Sequence, residues 1–145
     1  MTRRFAVSVL TCALVLGSAG CSLFSRGGPE DAFHAFADAL QRRDGSAAAA
    51  STDDAASATP TINSMFDGMG KDATVAVKVD ASGGDNPTAK LGYTWSFGPG
   101  RTFGYEANAT AVKAGDDWRI QWSPAVLHPK LQPGMTFQFS DDKNF

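Results

Sequence analysis

Histidine and cysteine are scarce, with two of each in 145 residues. Both cysteines, Cys12 and Cys21, lie close to the N-terminus, so no disulfide framework can staple the body of the chain. His34 and His128 are far apart and have no cysteine or paired-acid motif beside them, so no metal site is expected. No cofactor-binding motif is present either. An excess of positive charge is missing: 13 Lys and Arg face 15 Asp and Glu. That balance argues against nucleic-acid binding, which calls for a strongly basic face. A membrane-spanning run is lacking as well. The apolar stretch from Phe5 to Leu16 is broken by Ser8 and Thr11, and a spanning helix needs roughly 20 residues.

That stretch has a different character. Arg3 and Arg4 precede it, no acid occurs before Glu30, and Gly17-Ser18-Ala19-Gly20 leads directly into Cys21. A basic start, a short apolar core and small residues make a secretory signal peptide over residues 1–20. The small residues running into cysteine resemble a lipobox, which implies cleavage before Cys21 and lipid on its thiol. Ser18 stands where leucine is commoner in that motif. The rival reading is an ordinary secreted protein cut near Ala19 and Gly20, with Cys21 incidental. Lipidation would account for a lone cysteine in an oxidising compartment, and two acyl chains hold firmly to a bilayer. The expected location is therefore the extracytoplasmic face of the cell membrane, lipid-anchored through Cys21. Loss of Arg3 and Arg4 leaves 11 basic against 15 acidic residues, with no polybasic membrane patch. Residues 21–28 would be a short tether, and the remaining length suits one domain.

From Pro29 the pattern is helical. Proline opens the helix, Glu30 and Asp31 follow in the first turn, and Phe33, Phe36, Ala37 and Leu40 share one face. Arg42 and Arg43 suit the C-terminal dipole, and Gly45 is the expected terminator. A short helix is expected over Ala47 to Ala50. A third runs from about Asp53 to Met69 with Ile62, Met65, Phe66 and Met69 on one side, interrupted or started by Pro60. From Ala73 the period becomes two. Val75, Val77 and Val79 alternate with polar or small residues; so do Leu91, Tyr93, Trp95 and Phe97; then Phe103, Tyr105, Ala107, Ala109 and Ala111; then Trp118, Ile120 and Trp122. The turns are Ser82 to Pro87, Gly98-Pro99-Gly100 (type II) and Ala114 to Asp117. Helices first and a meander second predict an α+β domain, its N-terminal helices packed on the apolar face of a curved antiparallel sheet.

Trp118-Arg119-Ile120-Gln121-Trp122-Ser123-Pro124, followed by His128-Pro129 and Leu131, resembles the N-terminal domain of the MecA-type class B penicillin-binding proteins. Tyr93 and Trp95 on one strand, Tyr105 on another and the opening helix with Phe33 and Phe36 are collinear with that pattern. The resemblance runs from about Pro29 to Phe139, and it implies a cone-shaped, nuclear-transport-factor-two-like fold. It also implies a non-catalytic spacer and contact surface between membrane and transpeptidase in peptidoglycan synthesis. Some relatives are tied to β-lactam resistance, and in one branch this domain contributes to a regulatory ligand site. The partners implied are the membrane and a downstream transpeptidase domain or other cell-wall synthesis proteins. A transpeptidase would follow Phe145, so residues 140–145 read as the start of a linker in a chain cut short.

Ser140-x-x-Lys143 formally matches the penicillin-binding nucleophile motif, but its Ser-x-Asn and Lys-Thr-Gly companions are missing from the sequence. The acid pairs Asp53-Asp54, Asp116-Asp117 and Asp141-Asp142 fit capping, turns and solvation. The strand face with Tyr93, Trp95, Phe97, Phe103 and Tyr105 offers no ionisable group except the tyrosines, whereas Glu106 and Asn108 point the other way. A cone lined this way has no general base. No catalytic residue is expected. Two alternatives stay open: a free-standing lipoprotein binding a small apolar or wall-derived ligand, and a cone-fold enzyme using Glu106, His34 or His128.

Overall fold

Helix α1, Pro29–Gln41, begins on proline with Glu30 and Asp31 facing the positive end of its dipole. It buries Ala32, Phe33, Phe36, Ala37, Ala39 and Leu40. The structure, a computed structural model, describes residues 27–138; Cys21, Ser140 and Lys143 lie outside them.

Arg43, and not the expected Gly45, ends α1. Its φ is 56°, the one positive value on a described non-glycine residue. Asp44 N–H donates to Ala39 O and Arg43 N–H to Leu40 O, both at 2.9 Å, closing a Schellman motif. Gly45 instead opens α2, Gly45–Ala50, capped by Asp44, whose carboxylate accepts from Ala47 N at 3.0 Å. Helix α3, Ala55–Met69, is capped in the same way by Asp54 and runs straight through Pro60. Proline cannot donate to Ala56 O, but the side chain is exposed, so water can reach that carbonyl. On either side of it, Thr59 and Thr61 hydroxyls donate to the carbonyls of Ala55 and Ser57.

Four antiparallel strands follow, paired in sequence order: β1 Thr74–Ser82, β2 Thr88–Ser96, β3 Thr102–Ala114 and β4 Asp117–Ile120. Gly100 has φ 70° and Arg101 N–H donates to Gly98 O at 3.1 Å, consistent with a type II turn between β2 and β3. Gly115, φ 68°, starts the two-residue turn between β3 and β4.

The register sets the shape of the core. Val75, Trp95 and Phe103 form one cross-strand row; Val77, Tyr93 and Tyr105 the next; then Val79, Leu91 and Ala107; then Ala81, Ala89 and Ala109. Side-chain volume falls from row to row, so the layers can converge at the alanine end and stand apart at the aromatic end. Helices pack on this face of the curled sheet, giving the α+β, nuclear-transport-factor-two-like arrangement. Phe103 lies on the apolar face yet is 48% exposed, because it starts its strand beyond the cover of the helices. Trp122 lies past the end of β4 rather than in it.

The chain itself lies along the β4 border of the sheet and touches the β1 border. Beside β4, Ile120 N–H donates to Ser51 O and Asp53 N–H to Ile120 O, both at 2.9 Å, and Arg119 donates to Ala50 O. On the other border, Gln41 Oε1 accepts from Val77 N at 3.2 Å. Arg43 Nη1 donates to Ala73 O at 2.6 Å and Nη2 to Phe66 O at 3.0 Å, while its guanidinium lies 5.0 Å from the Phe66 ring centre. One arginine thus ties together the end of α1, the last turn of α3 and the approach to β1.

Candidate functional site

Strands β2 and β3 bring Tyr93 and Tyr105 face to face, with ring centres 5.0 Å apart and planes within 17°. The two phenols reach in the same direction, toward the 3-10 turn Pro124–Val126 that follows β4. Tyr93 Oη donates to Val126 O at 2.7 Å, and Tyr105 Oη donates to Leu127 O at 2.8 Å. Trp95 Nε1 donates in turn to Tyr105 Oη at 3.3 Å. Two consecutive carbonyls of a loop are thereby held by two stacked rings. The turn forms because Pro124 presets φ and the Ser123 hydroxyl accepts from Ala125 N at 3.3 Å.

His128 extends the cluster. Its ring lies 4.5 Å from that of Tyr105 and 5.6 Å from that of Phe137, centre to centre. Its Nδ1 accepts from Lys130 N at 3.1 Å, closing a local turn around Pro129. Leu131 is buried beneath. Tyr93, Trp95, Tyr105, Pro124, His128 and Leu131 are therefore one assembly. Trp118 and Trp122 serve elsewhere: Trp118 lies under the Lys113 ammonium at the margin of the core, and Trp122 N–H is held by Asp53 Oδ1 at 2.7 Å.

Burial governs the electrostatics. It pushes the Tyr93 phenol well above its ordinary range, and the neighbouring Tyr105 adds to the rise. Tyr105 is pushed up to about 12 by burial, partly offset by the Trp95 N–H. His128 is lowered, by burial first and then by the charge of Lys130. The tyrosines are neutral hydrogen-bond donors at physiological pH, and His128 Nδ1 is an unprotonated acceptor.

Reactive groups do not converge on this interior. Glu106 lies on the exposed face and pairs with Lys90 at 3.7 Å; Asn108 and His34 are exposed. Besides the phenols and the Trp95 indole, the buried Thr52 hydroxyl is spent within the chain, donating to Ala49 O. Among the described residues no group of three His, Cys, Asp or Glu could hold a metal, and no buried side-chain polar atom lacks a partner.

A model of the NTF2-like N-terminal transpeptidase domain, MecA_N, matches residues 28–135. The chain belongs to the MecA_N family. The match spans the three helices, the four strands, the 3-10 turn and His128. No curated protein matches the chain. Membership makes this the N-terminal domain of a transpeptidase-type protein, and no transpeptidase domain is found in the 145 residues.

Three residues important to this assembly carry weaker signals in the sequence. Arg43 reads as a dipole-compensating charge, and its left-handed backbone depends on partners 23 and 30 residues away. Asp53 reads as a cap but clamps Trp122 instead. Gly68 stands inside a helix among Met65, Phe66 and Met69, where glycine costs about 1 kcal/mol against alanine. A Cβ there would overlap the Phe137 carbonyl oxygen.

Proposed function

We propose that this MecA_N domain is a membrane-tethered, non-catalytic pedestal of a penicillin-binding protein, working as a spacer and contact surface in peptidoglycan synthesis. The observation that carries the reading is the family match over residues 28–135. The interior supports it, because its polar groups are spent on fixing a loop rather than aimed at open space. The leader and Cys21 support attachment by lipid, and no helix among the described residues is long and apolar enough to cross a membrane. Residues 21–28 would keep the domain within about 25–30 Å of the bilayer, given the reach of an extended chain. β-Lactam response would come from a transpeptidase domain encoded downstream.

Two experiments test this. Metabolic labelling with a fatty-acid analogue should mark the wild-type chain and not Cys21→Ser; an unlabelled wild type would remove the tether, and label on both would move it off Cys21. DNA beyond codon 145 should encode Ser-x-x-Lys, Ser-x-Asn and Lys-Thr-Gly elements in or near frame. Their absence, or covalent labelling of the 145-residue chain by a fluorescent penicillin, would overturn the pedestal.

A further inference from the structure

Beyond the 3-10 turn the chain folds back and passes over α3. Within residues 132–138 it is Phe137, half-buried against the core, that is held there at two points. Phe137 sets its ring edge-on against His128 at 79°, and its carbonyl lies where a side chain at Gly68 would have to go. The first contact depends on the attitude of the imidazole. That ring is pinned by Tyr105 on one side and by the Lys130 N–H on Nδ1. Protonation turns Nδ1 from an acceptor into a donor facing another donor, so the bond is lost and the two N–H groups repel. We infer that His128 and Gly68 form a latch on residues 132–138, and that protonating His128 opens it.

The surroundings favour the closed form at neutral pH. Strand β3 contributes Tyr105, a phenol tied to Leu127 O and uncharged. The folded-back segment contributes the Phe137 ring, and α3 enters beneath it as Gly68; neither carries charge. Lys130, on the same loop as His128, is the cation that disfavours the imidazolium. A lowered histidine contributes stability that is present above the ordinary imidazole range and lost as pH falls through the folded value. Acid is therefore the opening signal. Its effect would be to free the direction in which the chain leaves the cone while the cone stays folded.

Hydrogen exchange read by mass spectrometry on the full chain in detergent, at about pH 7.5 and about pH 5, tests the latch across the range where an imidazole titrates. Rates are corrected for intrinsic chemistry. Peptides covering 132–138 should lose protection in acid, by up to about tenfold per pH unit if opening takes up one proton. Peptides from α1 should stay protected. His128→Asn supplies an amide oxygen to Lys130 N without a titrating group and should abolish the pH dependence. Gly68→Ala should leave 132–138 unprotected at both pH values. An unchanged wild-type segment, the same acid response in His128→Asn, protection retained in Gly68→Ala, or simultaneous opening of α1 would each overturn the latch. The family assignment would survive any of those results.

Discussion

The chain contains two tyrosines, and the fold uses both phenols to hold successive loop carbonyls. Alkali attacks that arrangement directly, because a phenolate can no longer donate and would face a carbonyl oxygen. The unfolded value is about 10, and both folded values are raised. A folded value above the unfolded one means stability that is complete below about pH 10 and drains away as pH rises through the folded value. For Tyr105, a rise from 10 to about 12 corresponds to roughly 3 kcal/mol at about 1.4 kcal/mol per unit. Tyr93, more deeply buried, adds to the loss. Near-ultraviolet absorbance of tyrosinate gives the readout, with tryptophan fluorescence followed in parallel. In denaturant both tyrosines should titrate together near the ordinary value. In the native chain no tyrosinate should form until well past it, and then both should ionise along with the fluorescence change of unfolding. One native tyrosine ionising freely near pH 10 with the fold intact would refute the hydrogen-bonded pair.

Arg43→Ala should destabilise the domain by about 3 kcal/mol, from two charge-assisted hydrogen bonds and a cation–π contact. Arg43→Gly should cost about 1 kcal/mol less because glycine relaxes the positive φ. Urea unfolding that ranks alanine equal to wild type, or glycine above it, would contradict the clamp. Tyr105→Phe should cost about 1–2 kcal/mol, because it leaves both Leu127 O and Trp95 Nε1 without a partner; a double-mutant cycle with Tyr93→Phe should be non-additive, since both hold the same loop. Gly45→Ala should stay within about 0.5 kcal/mol of wild type in the same assay, since the added methyl clashes with the Asn63 amide, on an exposed side chain that can swing aside, and otherwise meets Ile62 Cγ2 at an ordinary 3.6 Å. Asp53→Ala should cost about 1 kcal/mol by freeing the Trp122 amide, with a red shift in tryptophan emission as the ring becomes wetter.

The layers of the fold were legible because the two hydrophobic periods are clean. Phe33, Phe36 and Leu40 repeat at helical spacing, and Leu91, Tyr93 and Trp95 alternate strictly. Periodicity says which face a residue belongs to, but not how far its neighbours extend over it. Phe103 has the right parity and lies largely open, and Trp122 continues the alternation after pairing has stopped. Pro60 shows a similar limit: proline weakens a helix locally, and a buried stripe of Ala58, Ile62, Met65 and Phe66 carries this one through. Arg43 marks the far end of that scale. Local preference argues against an arginine at φ 56°, and only its carbonyl partners on α3 and before β1 justify it. In the candidate site, the aromatic residues could be named from sequence; their role as loop-holding donors required the coordinates.

The Ser51–Asp53 segment lying along β4 bears on crowding. Growth of a ribbon from molecule to molecule needs an open seam on each side of every unit. With one seam already sealed from within, association through backbone ladders stops at a pair. Crowded copies could then join two by two without knitting into fibrils.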